Sequence, residues 1–153
     1  MMKLLLSLLM LLTTHVFSAT TPYPPLNATT LDKQQISSKE KVTYLKFWAT
    51  WCAYCVEEMP LLEQSYQQAN NGYQVISINI GFNQSLRGVT NYLKKYHYQF
   101  PTVFDSDGSI TRQYQVLGTP QHILLDEHGN ELYRSALFTD ELADKLSKLQ
   151  GSH

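Results

Sequence analysis

Cys52 and Cys55 are the residues of this chain best suited to chemistry, and the chain contains no other cysteine. They lie where the apolar segment 42–48 gives way to a helical pattern. A Cys-x-x-Cys pair at a helix start can close a disulfide across one turn, and the free N–H groups there favour a thiolate on the first sulfur. The helix dipole contributes about 0.3–2 kcal/mol, which lowers a thiol pKa by about one unit at most. The spacing therefore predicts redox chemistry.

Two other roles for the cysteine pair are weaker alternatives. A purely structural disulfide would close a loop of about four residues and stabilise the fold by about 2 kcal/mol, against about 3 kcal/mol for a fifteen-residue loop. A zinc site would need further ligands, but there is no second cysteine pair, and His97, His122 and His128 lack a ligand spacing. We therefore predict no metal site.

Residues 1–19 have the pattern of a signal peptide. Lys3 precedes the apolar run 4–12, which is too short to span a bilayer comfortably, and small residues near Ser18 and Ala19 suit cleavage. No cysteine lies nearby, which excludes a lipoprotein anchor. The sequence thus predicts export to the periplasm, with an uncleaved membrane anchor as the alternative.

The remainder of the chain is large enough for one compact domain. Residues 20–30 contain three prolines and are predicted to form an extended tether, and residues 31–150 to form the domain. Without Lys3, 11 basic and 13 acidic side chains remain of the 12 and 13 in the whole sequence, a net charge of −2. No basic stripe attracts a polyanion, so we expect no nucleic-acid partner.

Strand and helix patterns alternate along the domain. Apolar residues three and four apart continue from Cys52 to Ala69 and predict one helix, kinked at Pro60. The β-α-β-α alternation predicts parallel strands joined by right-handed crossovers, followed by an antiparallel pair. The predicted strands are 42–48, 73–80, 102–104, 121–125 and 131–137, and the later helices begin near residues 86, 109 and 139.

Residues 47–55 read Phe-Trp-Ala-Thr-Trp-Cys-x-x-Cys and are followed by Glu58 and Pro60. This string resembles the thioredoxin superfamily, and within it the exported TlpA/ResA/DsbE-like thiol–disulfide oxidoreductases. The Gly-Thr-Pro of residues 118–120 strengthens the resemblance, which extends over residues 31–149. It implies an α/β, thioredoxin-like fold with a central mixed β-sheet flanked by helices.

The resemblance also implies a role for each residue of the motif. Cys52 would be the exposed catalytic nucleophile, and Cys55 the buried thiol that resolves the mixed disulfide. Glu58 would be an acidic catalytic residue that modulates proton transfer at the cysteines. Thr119 and Pro120 would bind the substrate chain as a short strand, with Pro120 in the cis form against the disulfide.

Two aromatic residues next to the cysteines are expected to contact substrate. The resemblance implies that Trp51 shields the disulfide. Tyr54 occupies a position where strongly reducing members usually carry proline. Residues between the cysteines tune thiolate stability, and about 1.4 kcal/mol in favour of the reduced form raises the potential by about 30 mV. The direction of the shift caused by Tyr54 does not follow from the sequence.

Lys46 stands where thioredoxins carry an aspartate. A buried lysine is costly unless it is paired. We predict that Lys46 and Glu58 form an ion pair beneath the disulfide that modulates the thiol pKa; the alternative is that Lys46 extends to the surface. His122 follows Pro120 by two positions and is interpreted as a hydrogen-bonded strand histidine rather than a proton carrier.

These features together predict a periplasmic disulfide reductase that acts on exported client proteins, with apocytochrome c maturation as one pathway that the resemblance suggests. It would use no bound cofactor beyond the Cys52–Cys55 disulfide and would work as a monomer. Electrons would come from a membrane reductant resembling DsbD or CcdA, because an exported dithiol meets an oxidising environment. The alternatives are a DsbA-like oxidant or isomerase, and a thioredoxin-fold binding module or metallochaperone.

Overall fold

The computed structural model describes residues 21–150, so the predicted signal peptide, residues 1–19, lies outside the described residues. Among those described, no helix has the length and apolar character needed to cross a membrane. The elements in chain order are β1 (Asn27–Thr29), β2 (Gln35–Ser37), β3 (Thr43–Trp48), α1 (Ala53–Glu57), α2 (Met59–Gln68), β4 (Gln74–Asn79), α3 (Leu86–Lys95), β5 (Thr102–Phe104), α4 (Ser109–Gln113), β6 (Gln121–Leu125), β7 (Glu131–Ser135) and α5 (Asp140–Gln150).

A five-stranded mixed sheet forms the centre, with the strand order β5-β4-β3-β6-β7. Strand β4 pairs in parallel with both β3 and β5, whereas β6 is antiparallel to both β3 and β7. All six residues of β3 are buried, as expected for a central strand with both faces covered. The predicted α/β fold with a central mixed sheet flanked by helices is confirmed.

Alternation along the strands divides the core into two clusters. One cluster, which we call the disulfide face, includes Tyr44, Trp48 and Leu124 together with both cysteines. The other, the apolar face, includes Leu45, Phe47, Ile76, Ile78, Ile123 and Leu125. Lys46 and His122 lie at positions that alternate with the apolar face, and the register pairs them directly across β3 and β6. Two ionisable side chains are thereby placed side by side on the disulfide face.

The helix predicted from Cys52 to Ala69 is not one kinked helix but two separate helices, α1 and α2. They meet at Glu58, whose backbone angles are φ −90° and ψ −4°. Pro60 lies in the first turn of α2. Proline has no N–H to donate to the residue four positions earlier and clashes with its carbonyl, but it is tolerated in a first turn. The chain therefore starts a new helix at this point, and Glu58 lies at the break.

The prediction that residues 20–30 form a tether outside the core is wrong for most of that segment. Leu26 is 1% exposed and belongs to the apolar face. Strand β1 pairs with β2, and Thr30 bridges to Val103 in β5. The Tyr23 N–H donates to the carbonyl of Gly129 over 2.9 Å. The prolines do keep this stretch extended, but its apolar residues and free backbone groups find partners on the sheet, so the domain begins before residue 31.

Candidate redox site

The Cys52–Cys55 disulfide lies at the start of α1, as predicted. Cys52 is the N-cap of this helix with an extended backbone, and the Cα atoms of the two cysteines are 5.2 Å apart. The Cys55 N–H donates to Cys52 Sγ over 3.2 Å. A backbone donor thus points at the first sulfur, which is the arrangement that favours negative charge there when the disulfide is open.

Cys52 is more exposed than Cys55, as predicted, but it is less exposed than the prediction of an exposed nucleophile implies. Cys55 is fully buried, whereas Cys52 is 7% exposed. Cys52 is less exposed than predicted because its side chain is bonded to Cys55 and packs with it in the core of the disulfide face. The residual exposure nevertheless leaves the Cys52 side as the direction from which another thiol can approach.

An exposed aromatic surface flanks the disulfide. Tyr54 is 63% exposed and Trp51 is 52% exposed. The indole Nε1 of Trp51 donates to the Phe82 carbonyl over 2.9 Å, and the two rings meet edge to face. Phe82, in the loop between β4 and α3, is exposed as well. Trp51 and Tyr54 are thus available to a docking chain, although their role in substrate binding, like the shielding role of Trp51, stays a prediction.

The Thr119–Pro120 peptide bond immediately precedes β6 and is cis, as the resemblance implies. Pro120 is buried. The register pairs Phe47 at the end of β3 with Gln121 at the start of β6, so Pro120 and the residues leading to Cys52 lie at the same edge of the sheet. Thr119 Oγ1 is buried without a hydrogen-bond partner among the described residues. Binding of substrate by Thr119 and Pro120 stays a prediction.

The ion pair between Lys46 and Glu58 is present. The side chain of Lys46 is fully buried, and its Nζ lies 3.0 Å from Glu58 Oε2. The same Nζ donates to the carbonyl of Cys55 over 3.3 Å. The alternative that Lys46 extends to the surface is therefore wrong. The ammonium group lies beneath α1, where it links the backbone of the buried cysteine to the glutamate.

His122 is a third member of this cluster that the sequence did not indicate as part of the site. Its Nε2 lies 2.9 Å from Glu58 Oε2, and its Nδ1 lies 2.7 Å from the hydroxyl of Tyr44. The backbone N–H of Phe138, between β7 and α5, donates to Glu58 Oε1 over 2.7 Å. His122 is hydrogen-bonded and buried in its strand, as predicted, but its partner is the site glutamate.

Burial and hydrogen bonding set the charges of the cluster. Burial raises the pKa of Glu58, but hydrogen bonds from His122 and Phe138 and the charge of Lys46 outweigh it and lower the pKa to about 2. Burial lowers the pKa of Lys46 to about 8 against the opposing effect of Glu58. Burial also lowers the pKa of His122 and raises that of Tyr44 well above its usual value. Near neutral pH the cluster therefore holds a carboxylate, an ammonium, a neutral imidazole and a phenol.

The site combines the parts needed for thiol–disulfide exchange. A thiolate forms more easily at the start of a helix and near a positive charge. This disulfide lies at the start of α1, and the Lys46 ammonium is next to it. Glu58 has contacts with Lys46, His122 and Phe138, and it reaches Cys55 through the ammonium of Lys46. Across residues 21–150, no group of three or more His, Cys, Asp or Glu side chains is arranged to hold a metal ion.

Comparisons with known proteins agree with this chemistry. The family model described as Redoxin matches residues 17–149. The thiol-disulfide oxidoreductase ResA of Bacillus thuringiensis subsp. konkukian is 31% identical over 132 residues, which cover 82% of this chain and 75% of that protein. The sporulation thiol-disulfide oxidoreductase A of Bacillus subtilis is 29% identical over 104 residues, or 65% of this chain and 63% of that protein.

A solved structure extends the similarity to the fold. The crystal structure of StoA from Bacillus subtilis superposes with a TM-score of 0.73 and 25% identity, and the match covers 81% of this chain and 96% of that chain. The chain therefore belongs to the Redoxin family within the thioredoxin superfamily, and it is a thiol–disulfide oxidoreductase of the TlpA/ResA/DsbE-like group.

Proposed function

We propose that this oxidoreductase works outside the cytoplasm as a reductant of client-protein disulfides. In the reduced protein, the Cys52 thiolate attacks one sulfur of a client disulfide, and the other client sulfur leaves as a thiolate that takes a proton. Cys55 then loses its proton and attacks Cys52 Sγ, which releases the second client thiolate and forms the Cys52–Cys55 disulfide. The second client thiolate also takes a proton, so the client gains two electrons and two protons. These match the proton that Cys52 released to solvent when its thiolate formed and the proton that Cys55 lost.

The observation that carries this proposal is the disulfide itself, in which Cys52 at the helix start keeps 7% exposure and Cys55 has none. This asymmetry gives the two sulfurs different tasks, because an incoming client can reach only the first. The buried sulfur can react only with its neighbour, so it is suited to resolving the mixed disulfide. The family membership supports client proteins that carry disulfides.

Export and an external electron donor belong to the same proposal. The signal-peptide pattern of residues 1–19 supports export. A reductant in an oxidising compartment must be reduced again after each cycle, so we propose a membrane reductant resembling DsbD or CcdA as the donor. The protein would act as a monomer without a bound cofactor, and apocytochrome c is one proposed client.

The reduction potential tests the direction of electron flow. Equilibration of the Cys52–Cys55 couple in redox buffers should give a value far below the potential of about −120 mV typical of the oxidant DsbA. A value close to that of DsbA would instead support the oxidant alternative. Catalysis of insulin reduction in the presence of dithiothreitol provides an independent check.

Trapping tests whether Cys52 exchanges with clients. Cys55→Ser should accumulate mixed disulfides through Cys52, and Cys52→Ser is the matched control that should accumulate far fewer. If both variants trap nothing while the protein retains copper in a fixed ratio after dialysis, the metallochaperone alternative is favoured.

Lys46 and Glu58 are proposed to modulate the pKa of the attacking thiol. The Lys46 ammonium lies against the Cys55 carbonyl, so its charge favours a thiolate on the cysteine pair over a neutral thiol. Glu58 keeps this ammonium in place through the shared ion pair. Their effect is measured through the titration of Cys52 in the reduced protein.

A further inference from the structure

His122 is a buried ionisable group that the proposed exchange reaction does not yet use. It lies on β6 opposite Lys46 on β3, and both side chains lie on the disulfide face. Its exposure is zero, so its two ring nitrogens depend on protein partners. Those partners are the Glu58 carboxylate on one side and the Tyr44 hydroxyl on the other.

The partners determine which nitrogen carries the proton. An ionised carboxylate only accepts hydrogen bonds, so Nε2 of His122 must be the protonated nitrogen that donates to Glu58 Oε2. A neutral imidazole then has an acceptor at Nδ1, and the hydroxyl of Tyr44 donates to it over 2.7 Å. The ring of Tyr44 also stacks on the imidazole, with the centroids 5.9 Å apart. The Glu58 carboxylate therefore selects the tautomer, and the Tyr44 hydroxyl holds the ring in place by donating to Nδ1.

The glutamate is held from three sides by separate elements. Lys46 from β3 and His122 from β6 share Oε2, and the N–H of Phe138 from the segment after β7 occupies Oε1. The Phe138 ring packs edge-on against the imidazole, with centroids 5.9 Å apart. Because these donors converge, the carboxylate has one orientation in which all of them are satisfied, and that orientation directs the Lys46 ammonium toward Cys55.

The ionisable groups that act on this cluster come from each neighbouring element. Lys46 and Tyr44 lie on β3 and His122 on β6, while Glu58 lies between α1 and α2. Tyr73, just before β4, also acts electrostatically on Tyr44. The side chain of Glu58 is 12% exposed, whereas those of Lys46 and His122 are fully buried. Of these three side chains, only that of Glu58 therefore contacts solvent.

We propose that His122 is a positioning residue for thiol–disulfide exchange: its ring is held by the Tyr44 hydroxyl at Nδ1, and its Nε2–H holds the Glu58 carboxylate in the orientation that keeps the Lys46 ammonium beneath Cys55. This inference rests on the proposed exchange function and deepens it. His122 neither touches a reacting sulfur nor transfers a proton to one. It acts through Glu58 and Lys46 on the charge environment of the cysteine pair.

The tautomer gives the most direct test. Proton–nitrogen NMR of the imidazole side chains in the intact mature protein at neutral pH should show His122 protonated at Nε2 and bare at Nδ1. In Tyr44→Phe the Nδ1 atom loses its donor while the Glu58 carboxylate still requires Nε2–H, so the tautomer should be kept and the Nδ1 resonance should shift toward that of an acceptor without a hydrogen bond. A wild-type His122 that is doubly protonated, or protonated at Nδ1, would overturn the proposal.

The carboxyl group of Glu58 gives a second readout, followed by carbon NMR during an acid titration. Hydrogen bonds to charged groups are strong enough that His122→Leu should raise the pKa of Glu58 by about one to two units. His122→Gln is the matched control, because its carboxamide can both donate to Glu58 and accept from Tyr44. It should keep the pKa of Glu58 near the wild-type value, and equal shifts in the two variants would contradict the proposal.

The exchange reaction gives the functional readout. The acid limb of its pH profile, measured on the reduced protein with an aromatic disulfide reagent, follows formation of the Cys52 thiolate. His122→Leu should move this limb to higher pH by about half a unit to one unit, Tyr44→Phe by less, and His122→Gln hardly at all. If His122→Leu does not fold, the ordering of Tyr44→Phe and His122→Gln relative to wild type decides the matter.

The two proposals fail in different ways. Wild-type protein that exchanges no disulfides at any pH would contradict the proposed function whatever the tautomer of His122. Normal exchange with superimposed pH profiles for wild type and all folded variants would leave the function standing and reject the positioning role.

Discussion

The two faces of the central sheet are built from the same strands but bury very different side chains. The apolar face packs Leu45 against Ile76 and Ile123 in a cluster of hydrophobic residues. The disulfide face, formed by the alternate residues of the same strands, buries Lys46 and His122, and the Lys46 ammonium contacts the Cys55 carbonyl. Period-2 alternation keeps the two sets apart, so Lys46 and His122 lie on the face that carries the disulfide.

The comparison separates what stabilises the fold from what serves the site. Each apolar side chain contributes roughly 1.5–3 kcal/mol through burial. A buried ion pair, by contrast, often gives no net stability over apolar residues of the same shape, yet breaking it is costly. The disulfide face thus carries a cluster that stability alone does not require. Its presence next to Cys55 is best explained by an effect on the cysteines.

Removal of the shared carboxylate should have the largest effect. Glu58→Ala leaves the buried Lys46 ammonium without its counter-ion and His122 Nε2–H without an acceptor. We expect a loss of about 3–5 kcal/mol in the free energy of unfolding, measured by urea denaturation at neutral pH. The matched control is Glu57→Ala at the adjacent exposed position, for which a change within about 0.5 kcal/mol is expected. Similar losses of unfolding free energy in both variants would show that Glu58 contributes no more to stability than an exposed glutamate does.

The second-largest effect should appear in the alkaline pH dependence of stability. Lys46 has a pKa of about 8 in the folded protein against an ordinary value of 10.5. Between these values the unfolded chain binds more protons at Lys46 than the folded one, so stability attributable to this residue rises as the pH increases from about 8 to 10.5. The rise should reach about 3 kcal/mol at most.

The control for this pH effect is Lys46→Met, which removes the titrating group and retains an apolar side chain. In this variant, the unfolding free energy measured across the alkaline range should not show the rise that Lys46 causes in the wild type. A wild-type curve that coincides with that of Lys46→Met in shape would contradict the lowered pKa.

Much of the fold followed from the sequence because local patterns and global packing agree. Strand β6 is found at the predicted residues, 121–125, and β3 differs from the prediction by one residue. The errors lie where a tertiary contact overrides a local pattern. The prolines before residue 26 indicate an extended chain, but nothing local shows that Leu26 enters the apolar face. The helix boundary at Glu58 depends on how the backbone compensates for Pro60.

Only part of the candidate site could be predicted from the sequence, because the sequence does not show which residues of β3 and β6 pair with each other. Lys46 and Glu58 could be paired because a lysine in a buried strand requires a nearby anion. His122 could not be assigned to the same cluster, since its position depends on the pairing of β6 with β3 over a separation of many residues. Tyr44 was missed for the same reason. The available signal was a histidine two positions after Pro120, in a predicted strand. It lies on the same face of the sheet as Lys46.

The third prediction concerns the thiol rather than the fold. Lys46→Gln removes the positive charge beside the Cys55 carbonyl but keeps a hydrogen-bond donor of similar length. The pKa of Cys52 in the reduced protein should rise by about one unit, as followed by the ultraviolet absorbance of the thiolate. Lys41→Gln, at an exposed position before β3, provides the matched control. An unchanged titration of Cys52 in Lys46→Gln would reject the pKa-modulating role of this lysine.

The smallest effect is expected on the apolar face. Ile123→Val removes one methyl group next to His122 in sequence but on the opposite side of the sheet. The loss of stability should be about 0.5–1.5 kcal/mol, the usual result of this substitution in a core. The titration of Cys52 and the reduction potential should not change, because no charge or hydrogen bond of the disulfide face is altered. A shift of either redox property in Ile123→Val would show that the two faces are coupled and that packing, rather than the buried charges, tunes the cysteines.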